Sequence, residues 1–373
     1  MKRYFILSFF LFVSSLLSFA QMPGFLPSKI FFSPADSQKI FMSIKGVSFF
    51  KNNEYFNPIE EGYTLLGFYA EPSIILHLSK DIRMEAGANL LKYSGKNGFY
   101  QVQPLFRLQY QPVPWFQMLL GNLYGGSDHG LVEPLYRWER QFTNSVENGL
   151  QFLLKTDRIN ADVWLDWQKF ILPNDPYQEE LTVGISSEFF LTGKSSDITV
   201  SCPVQTLFQH HGGQINSVDL PLETLANWAT GLKIHKIYHQ CSLRFWETSL
   251  YYLGFSDLSP QKLQQYRNGY GIYPKTSIGF GNFTAEVGYF HGTRFESPMG
   301  ERLFHSATIP ASSIAYYDKD LCTGKLLFEK KINTGIVLGA YFGSYIDCSN
   351  QKTDYAYGVH ISFNRDFFLL NHP

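Results

Sequence analysis

Charge is scarce in this chain. Asp, Glu, Lys and Arg make up 17% of its 373 residues, against about a quarter in ordinary soluble domains. A formal net charge of −1 leaves no basic excess for nucleic acid and no surplus of one sign to recruit a charged partner. Cysteine is scarcer still. Cys202, Cys241, Cys322 and Cys348 are the four present, too far apart for a CxxC or zinc-like pattern. An exported chain permits disulfides among them without requiring any, and spacing leaves their pairing open. Beyond residue 20 no apolar run approaches the length of a membrane helix. A Walker loop, a dinucleotide fingerprint, a calcium loop and nucleic-acid modules are all missing.

Aromatic residues are what the chain has in abundance, at 17%, nearly all Phe and Tyr. Its start is distinctive too. Lys2 and Arg3 precede an uninterrupted run of apolar residues and serines from Phe5 to Leu17, and Ser18-Phe19-Ala20 fits a small-x-small cleavage site. Residues 1–20 therefore read as a cleaved signal peptide, 21–39 as a periplasmic lead-in and 40–373 as one domain.

That domain alternates polar and apolar positions with period two. In Arg158–Phe170, Ile159, Ala161, Val163, Leu165 and Trp167 form one face, and Asn160, Asp162, Trp164, Asp166 and Gln168 the other. A helix would scatter the apolar set around its circumference, so the segment reads as a strand. Tyr100–Tyr110, Glu180–Leu191 and the C-terminal stretch Asp354–Asn364 follow the same rule. Looser candidates, such as Ile40–Phe49, Trp115–Tyr124 and Phe283–His291, bring the total to about sixteen, with fourteen or eighteen as alternatives, an even number as bacterial barrels require. Pro72, Pro203 and Pro274 fall inside predicted strands and would demote them unless they lie at bulges or rims.

The gaps between strands alternate as well. Thr156-Asp157 and Gly281-Asn282 are short; Gly125–Val146, His210–Ala226, Gly292–Ser312 and Ile346–Lys352 are long. With both termini periplasmic, the short turns face inward to the cell and the long loops outward, Ser94–Gly98 being the one short outer loop. Inside lipid every backbone donor and acceptor must be paired within the protein, so only helices and closed barrels span. The fold class is all-β: a transmembrane antiparallel up-and-down β-barrel, placed in the outer membrane.

The segment Gly358-Val359-His360-Ile361-Ser362-Phe363 resembles the C-terminal assembly signal of outer-membrane barrels. The resemblance implies that Tyr355, Gly358, Ile361 and Phe363 are read by the barrel-assembly machinery, although this chain continues past its aromatic to Pro373. More broadly, the Phe/Tyr-rich chain resembles porin-like outer-membrane barrels of the Bacteroidota. That likeness implies a channel in contact with outer-membrane lipid, with small polar solutes as cargo and, by analogy, a homotrimer; with no motif for either, no cofactor and no bound metal are expected.

The polar strand faces are expected to line the pore. They supply the cations Arg83, Arg107, Lys233, Arg244, Lys275 and Lys325. Their carboxylates are Glu85, Asp162, Asp166, Glu180, Glu188, Glu286 and Glu329. Mixed signs favour a general polar channel or an interior stitched by ion pairs over a selective constriction. The loop Gly125–Val146 carries Asp128, His129, Glu133, Arg137, Glu139 and Arg140 beside Tyr136 and Trp138, a set able to narrow the pore. The expected function is passive or weakly selective diffusion, without enzymatic activity. Two alternatives stay open: a rim hydrolase using His210 and His211, and a closed barrel serving assembly or surface interaction. Neighbouring histidines on a strand point to opposite faces, which counts against a shared ligand.

If Gly125–Val146 constricts the lumen, deleting Gly130–Gln141 raises single-channel conductance in a planar bilayer. An unchanged conductance would place the loop outside the conduction path.

Overall fold

The computed structural model describes residues 34–371, apart from residues 145, 195, 214, 240 and 308–315. The predicted signal peptide and most of the lead-in lie outside the described residues. Sixteen strands follow one another in a single closed sheet. They are β1 (Lys39–Glu54), β2 (Thr64–His77), β3 (Ile82–Tyr93), β4 (Gln101–Val113), β5 (Phe116–Asn122), β6 (Asn148–Lys155), β7 (Ile159–Lys169) and β8 (Glu180–Phe190). The second half comprises β9 (Ile198–His211), β10 (Glu223–Ile237), β11 (Leu243–Asp257), β12 (Asn268–Phe280), β13 (Phe283–Thr293), β14 (Asp318–Asn333), β15 (Ile336–Asp347) and β16 (Lys352–Asn371). Each pairs antiparallel with its sequence neighbours, and β1 closes on β16 from Lys39↔Asn371 to Glu54↔Tyr355. No strand edge is left for lipid to meet unpaired.

The period-two pattern becomes an inside and an outside. Along β13, Glu286 and Phe290 are buried toward the lumen, while Val287 and Tyr289 are exposed on the outer wall. Along β16, Tyr357, Val359 and Ile361 face out, and Asp354, Ala356, His360 and Ser362 face in. Of the assembly-signal residues, Gly358 is on the inward side, Tyr355, Ile361 and Phe363 on the outward side. The strand then runs on to Asn371, eight residues past the expected end of the signal at Phe363.

All three questioned prolines sit inside full strands. A proline lacks its N–H toward one neighbour only. Pro72 still pairs with Ile44, Pro203 with Glu188 and Pro274 with Leu250. On the opposite side each ladder skips the proline and resumes in the same register. One loop length also differs from expectation: β15 and β16 are joined by residues 348–351 alone, because both strands extend further than their hydrophobic pattern.

Two outer loops turn inward. The described parts of 123–147 and 294–317 enter the lumen and pack there as a second, internal core. Leu135, Leu303, Phe295 and Phe304 are wholly or almost wholly buried among the wall residues Leu253, Phe255, Tyr273 and Phe290. The loops also bond to each other, Arg137 N–H donating to Met299 O at 2.7 Å and Glu301 N–H to Glu133 O at 3.1 Å.

Replacing Val287, which is outward and near the middle of β13, by Arg should destabilise the barrel by about 2–4 kcal/mol. Urea unfolding in lipid vesicles measures this, and a loss below about 1 kcal/mol would place that wall outside the hydrocarbon.

Candidate functional site

Most of the expected pore-lining residues do face the lumen, and there they meet one another instead of open water. Glu85 is held by Lys45 at 3.2 Å, Arg83 at 3.2 Å and Arg107 at 3.1 Å. Lys233 pairs with Glu188 at 2.5 Å and Lys275 with Glu286 at 2.9 Å. Lys325 joins Glu286 to Glu133 of the inward loop. Asp166 accepts from Asn148 N–H at 2.8 Å. Glu180 stands half-open at the outer mouth beside Lys169, 3.3 Å away. Glu329 lies toward the periplasmic end of β14.

Arg244 departs from the expectation. It is exposed on the outward side of β11, donating to Phe283 O and Thr284 Oγ1, each at 3.3 Å. The inward positions of that strand are Phe245, Glu247, Ser249 and Tyr251. Phe245 can face the lumen because Gly279 opposite it has no side chain; a Cβ there would stand 2.3 Å from the ring. An aromatic in the lumen is what hid the parity of this strand.

The loop expected to constrict the pore is tied down by charge. Arg137 reaches Glu60 at 2.6 Å, Glu301 at 3.3 Å and Glu139 at 3.7 Å. Glu139 also meets Lys51 and accepts from Asn53 Nδ2 at 3.0 Å. Arg140 lies over the Tyr136 ring, and Asp128 sits in the helical turn Gly126–His129. His129 is the clamp. Its Nδ1 lies 2.8 Å from Asp162 and its Nε2 2.7 Å from Glu147, and its ring stacks on Trp164 at 3.6 Å. Trp164 in turn lies over Gly184, where a Cβ would be 2.0 Å from the indole. Burial alone would push this imidazole down, but the charges of Glu147 and Asp162 outweigh it and hold it up at about 9. With both ring nitrogens engaged and no exposure, His129 fastens a loop and has no access to substrate.

The two rim histidines are separated by strand alternation. His210 points outward to Thr224 Oγ1 at 2.8 Å. His211 points inward to Glu223 at 3.2 Å. They cannot act together on one group.

A different histidine meets a carboxylate on the lipid-facing wall. His291 and Asp320 are direct cross-strand partners near the outer ends of β13 and β14. Nδ1 of His291 is 2.8 Å from Asp320 Oδ1, with side chains 41% and 32% exposed. Tyr289 OH donates to the same carboxylate oxygen at 2.5 Å. Asp320 N–H donates to Ser349 Oγ at 3.0 Å, and Cys348 N–H to Asp320 O at 2.9 Å. Cys322 and Cys348 stand beside them with their Sγ atoms 3.7 Å apart. Sequence alone could not join His291 to Asp320, because only the register of β13 on β14 makes them neighbours.

Removing the His129 imidazole leaves two buried carboxylates facing each other, so His129→Gln should destabilise the clamped loop by about 3–5 kcal/mol. The folded pKa is raised above the unfolded value of about 6.5. Its stabilisation is therefore complete below about 6.5 and lost as pH rises through about 9. Trypsin cleavage at Arg137 and Arg140 should accelerate across that upper range in the native protein and show no such step in His129→Gln.

Solved structures share the architecture. OprD from Pseudomonas aeruginosa is 6% identical, with a TM-score of 0.53 over 94% of this chain and 98% of its own. A loop L8 deletion mutant of OmpT, an outer-membrane protein of Vibrio cholerae, is 11% identical, with a TM-score of 0.50 over 87% and 99%. OccK2 (OpdF) of Pseudomonas aeruginosa, solved with glucuronate, is 8% identical, with a TM-score of 0.50 over 90% and 99%. At such identities the likeness is one of fold, that of porin-like outer-membrane barrels. Among curated proteins none matches this chain. A family model described as Lipid A 3'-O-deacylase-type matches residues 32–372. That match overturns the expectation of a protein without enzymatic activity, which rested on finding no catalytic pattern in the sequence. Across nearly its whole length, the chain belongs to the Lipid A 3'-O-deacylase-type family.

Proposed function

We propose that this barrel is an outer-membrane deacylase that hydrolyses an ester-linked acyl chain of a lipid A-type molecule in the outer leaflet. The observation that carries the reading is the inward fold of 294–306 and the described part of 123–147, which fills the lumen with apolar side chains and paired charges. A barrel so filled is poorly built for diffusion, and its wall remains in contact with lipid. Family membership supplies the reaction class. The export signal at residues 1–20 and insertion through Tyr355, Gly358, Ile361 and Phe363 belong to the same proposal, since the site must reach the outer leaflet to meet its substrate.

A second reading is diffusion of small polar solutes. A lumenal cavity of about 70 Å³ favours it, bounded by Lys233, Lys275, Lys325, Glu247 and Glu286 beneath the inward loop. It requires the His129 and Arg137 clamps to release.

Folded protein incubated with lipid A in mixed micelles should remove an acyl chain, seen by mass spectrometry as a lighter lipid A and a free fatty acid. Unaltered lipid A, together with stable conductance steps in a planar bilayer, would replace the deacylase with the channel.

A further inference from the structure

We propose that His291 is the catalytic base of this deacylation and Asp320 its positioning residue, acting on lipid from the outer surface of the barrel wall. The inference rests on the deacylase reading and adds to it the location and roles of the reacting groups.

The first support is position. His291 lies two residues before the end of β13 at Thr293, roughly 7 Å along the strand at about 3.3 Å per residue. The pair thus stands just inside the rim of the wall, where β13 and β14 give way to their connecting loop. The wall around it is apolar: Val287 on the same strand, Ile272 paired with His291, and Ile346 paired with Cys322 are all exposed. These side chains offer an acyl chain a surface to lie against, with the ester carbonyl held at the imidazole. The second support is chemical. An ionised carboxylate only accepts, so Asp320 fixes the His291 proton on Nδ1 and leaves the Nε2 lone pair free for a proton. Nε2 has no protein partner among the described residues, unlike either ring nitrogen of His129. The third is cost. A charged group on the lipid-facing side of a barrel strand is unfavourable, and away from the rim the outward positions that follow this pair are Tyr289, Val287, Cys322 and Leu326, none of them charged.

The step balances with water as co-reactant. Water oxygen bonds to the ester carbonyl carbon while His291 Nε2 takes its proton. The resulting imidazolium, steadied by Asp320, returns that proton to the sugar oxygen as the C–O bond to the acyl carbon breaks. A fatty acid and a sugar hydroxyl leave, and the imidazole is neutral again. Ser349 Oγ, which donates to Asp320 Oδ2 only at 3.5 Å, is a donor able to turn toward the carbonyl oxygen.

The test uses the full chain folded in lipid, with heat-dependent mobility in gel electrophoresis as the check on folding. His291→Gln should lower kcat for acyl release by about 10²–10⁴-fold. His291→Ala should be partly restored by added imidazole, a rescue that lost packing alone would not give. Asp320→Asn should reduce kcat with little change in KM, and Asp320→Glu should recover part of the loss. His210→Gln, the outward rim histidine on another strand, should keep full activity. An active wild type with an equally active His291→Gln overturns this site and leaves the deacylase standing. An inactive wild type overturns both. Loss in His291→Ala without imidazole rescue, accompanied by a raised KM, makes His291 a structural contact and overturns the base.

Discussion

Everything in this molecule depends on the closure of β1 against β16. Lipid offers no hydrogen bonds, so a sheet that enters it must leave no open edge. The pairing from Lys39↔Asn371 to Glu54↔Tyr355 completes the circle with the two longest classes of strand in the chain. Once the sheet is closed, pleating assigns every other side chain to lipid or lumen. The scarcity of charge follows, because one of the two faces excludes it.

The lumen receives most of the charge and cannot leave it bare once filled. Buried ions are costly unless paired, and the inward loop supplies partners for cations of the wall: Glu139 for Lys51, Glu133 for Lys325. In return the wall supplies Asp162 to His129. Loop and barrel are thus electrostatically complementary parts of one core, whose apolar portion comes from Leu135, Leu303 and Phe304. An interior built in this way moves attention to the outer surface. There the His291–Asp320 pair leaves Nε2 of the imidazole without a protein partner among the described residues.

Period-two alternation is a local signal, and it carried strand count and facing well. Arg158–Phe170 illustrates why: from Ile159 to Gln168 each face of β7 is chemically uniform except for Trp164, which is lumenal and covers Gly184 and the His129 ring. Arg244 shows where the signal failed, since Phe245 occupies a lumenal position over Gly279 and inverts the apparent parity. The prolines looked worse than they are, because a strand has two neighbours and each proline offends one. The loops were beyond local reading. Nothing in Gly125–Val146 announces that His129 will meet Asp162, or that Arg137 will meet Glu60 and Glu301 from two other loops. The same holds for His291 and Asp320, whose meeting is a matter of register. The two residues proposed for the deacylation form no contiguous motif, so no local pattern in the sequence marks them.

The most direct measurement is acyl release in oxygen-labelled water. Folded barrel and lipid A are incubated together, and the released fatty acid is weighed by mass spectrometry. The account predicts one labelled oxygen in the carboxyl group of each fatty acid freed, as attack by water requires. Absence of free fatty acid, or fatty acid released without label, would contradict it.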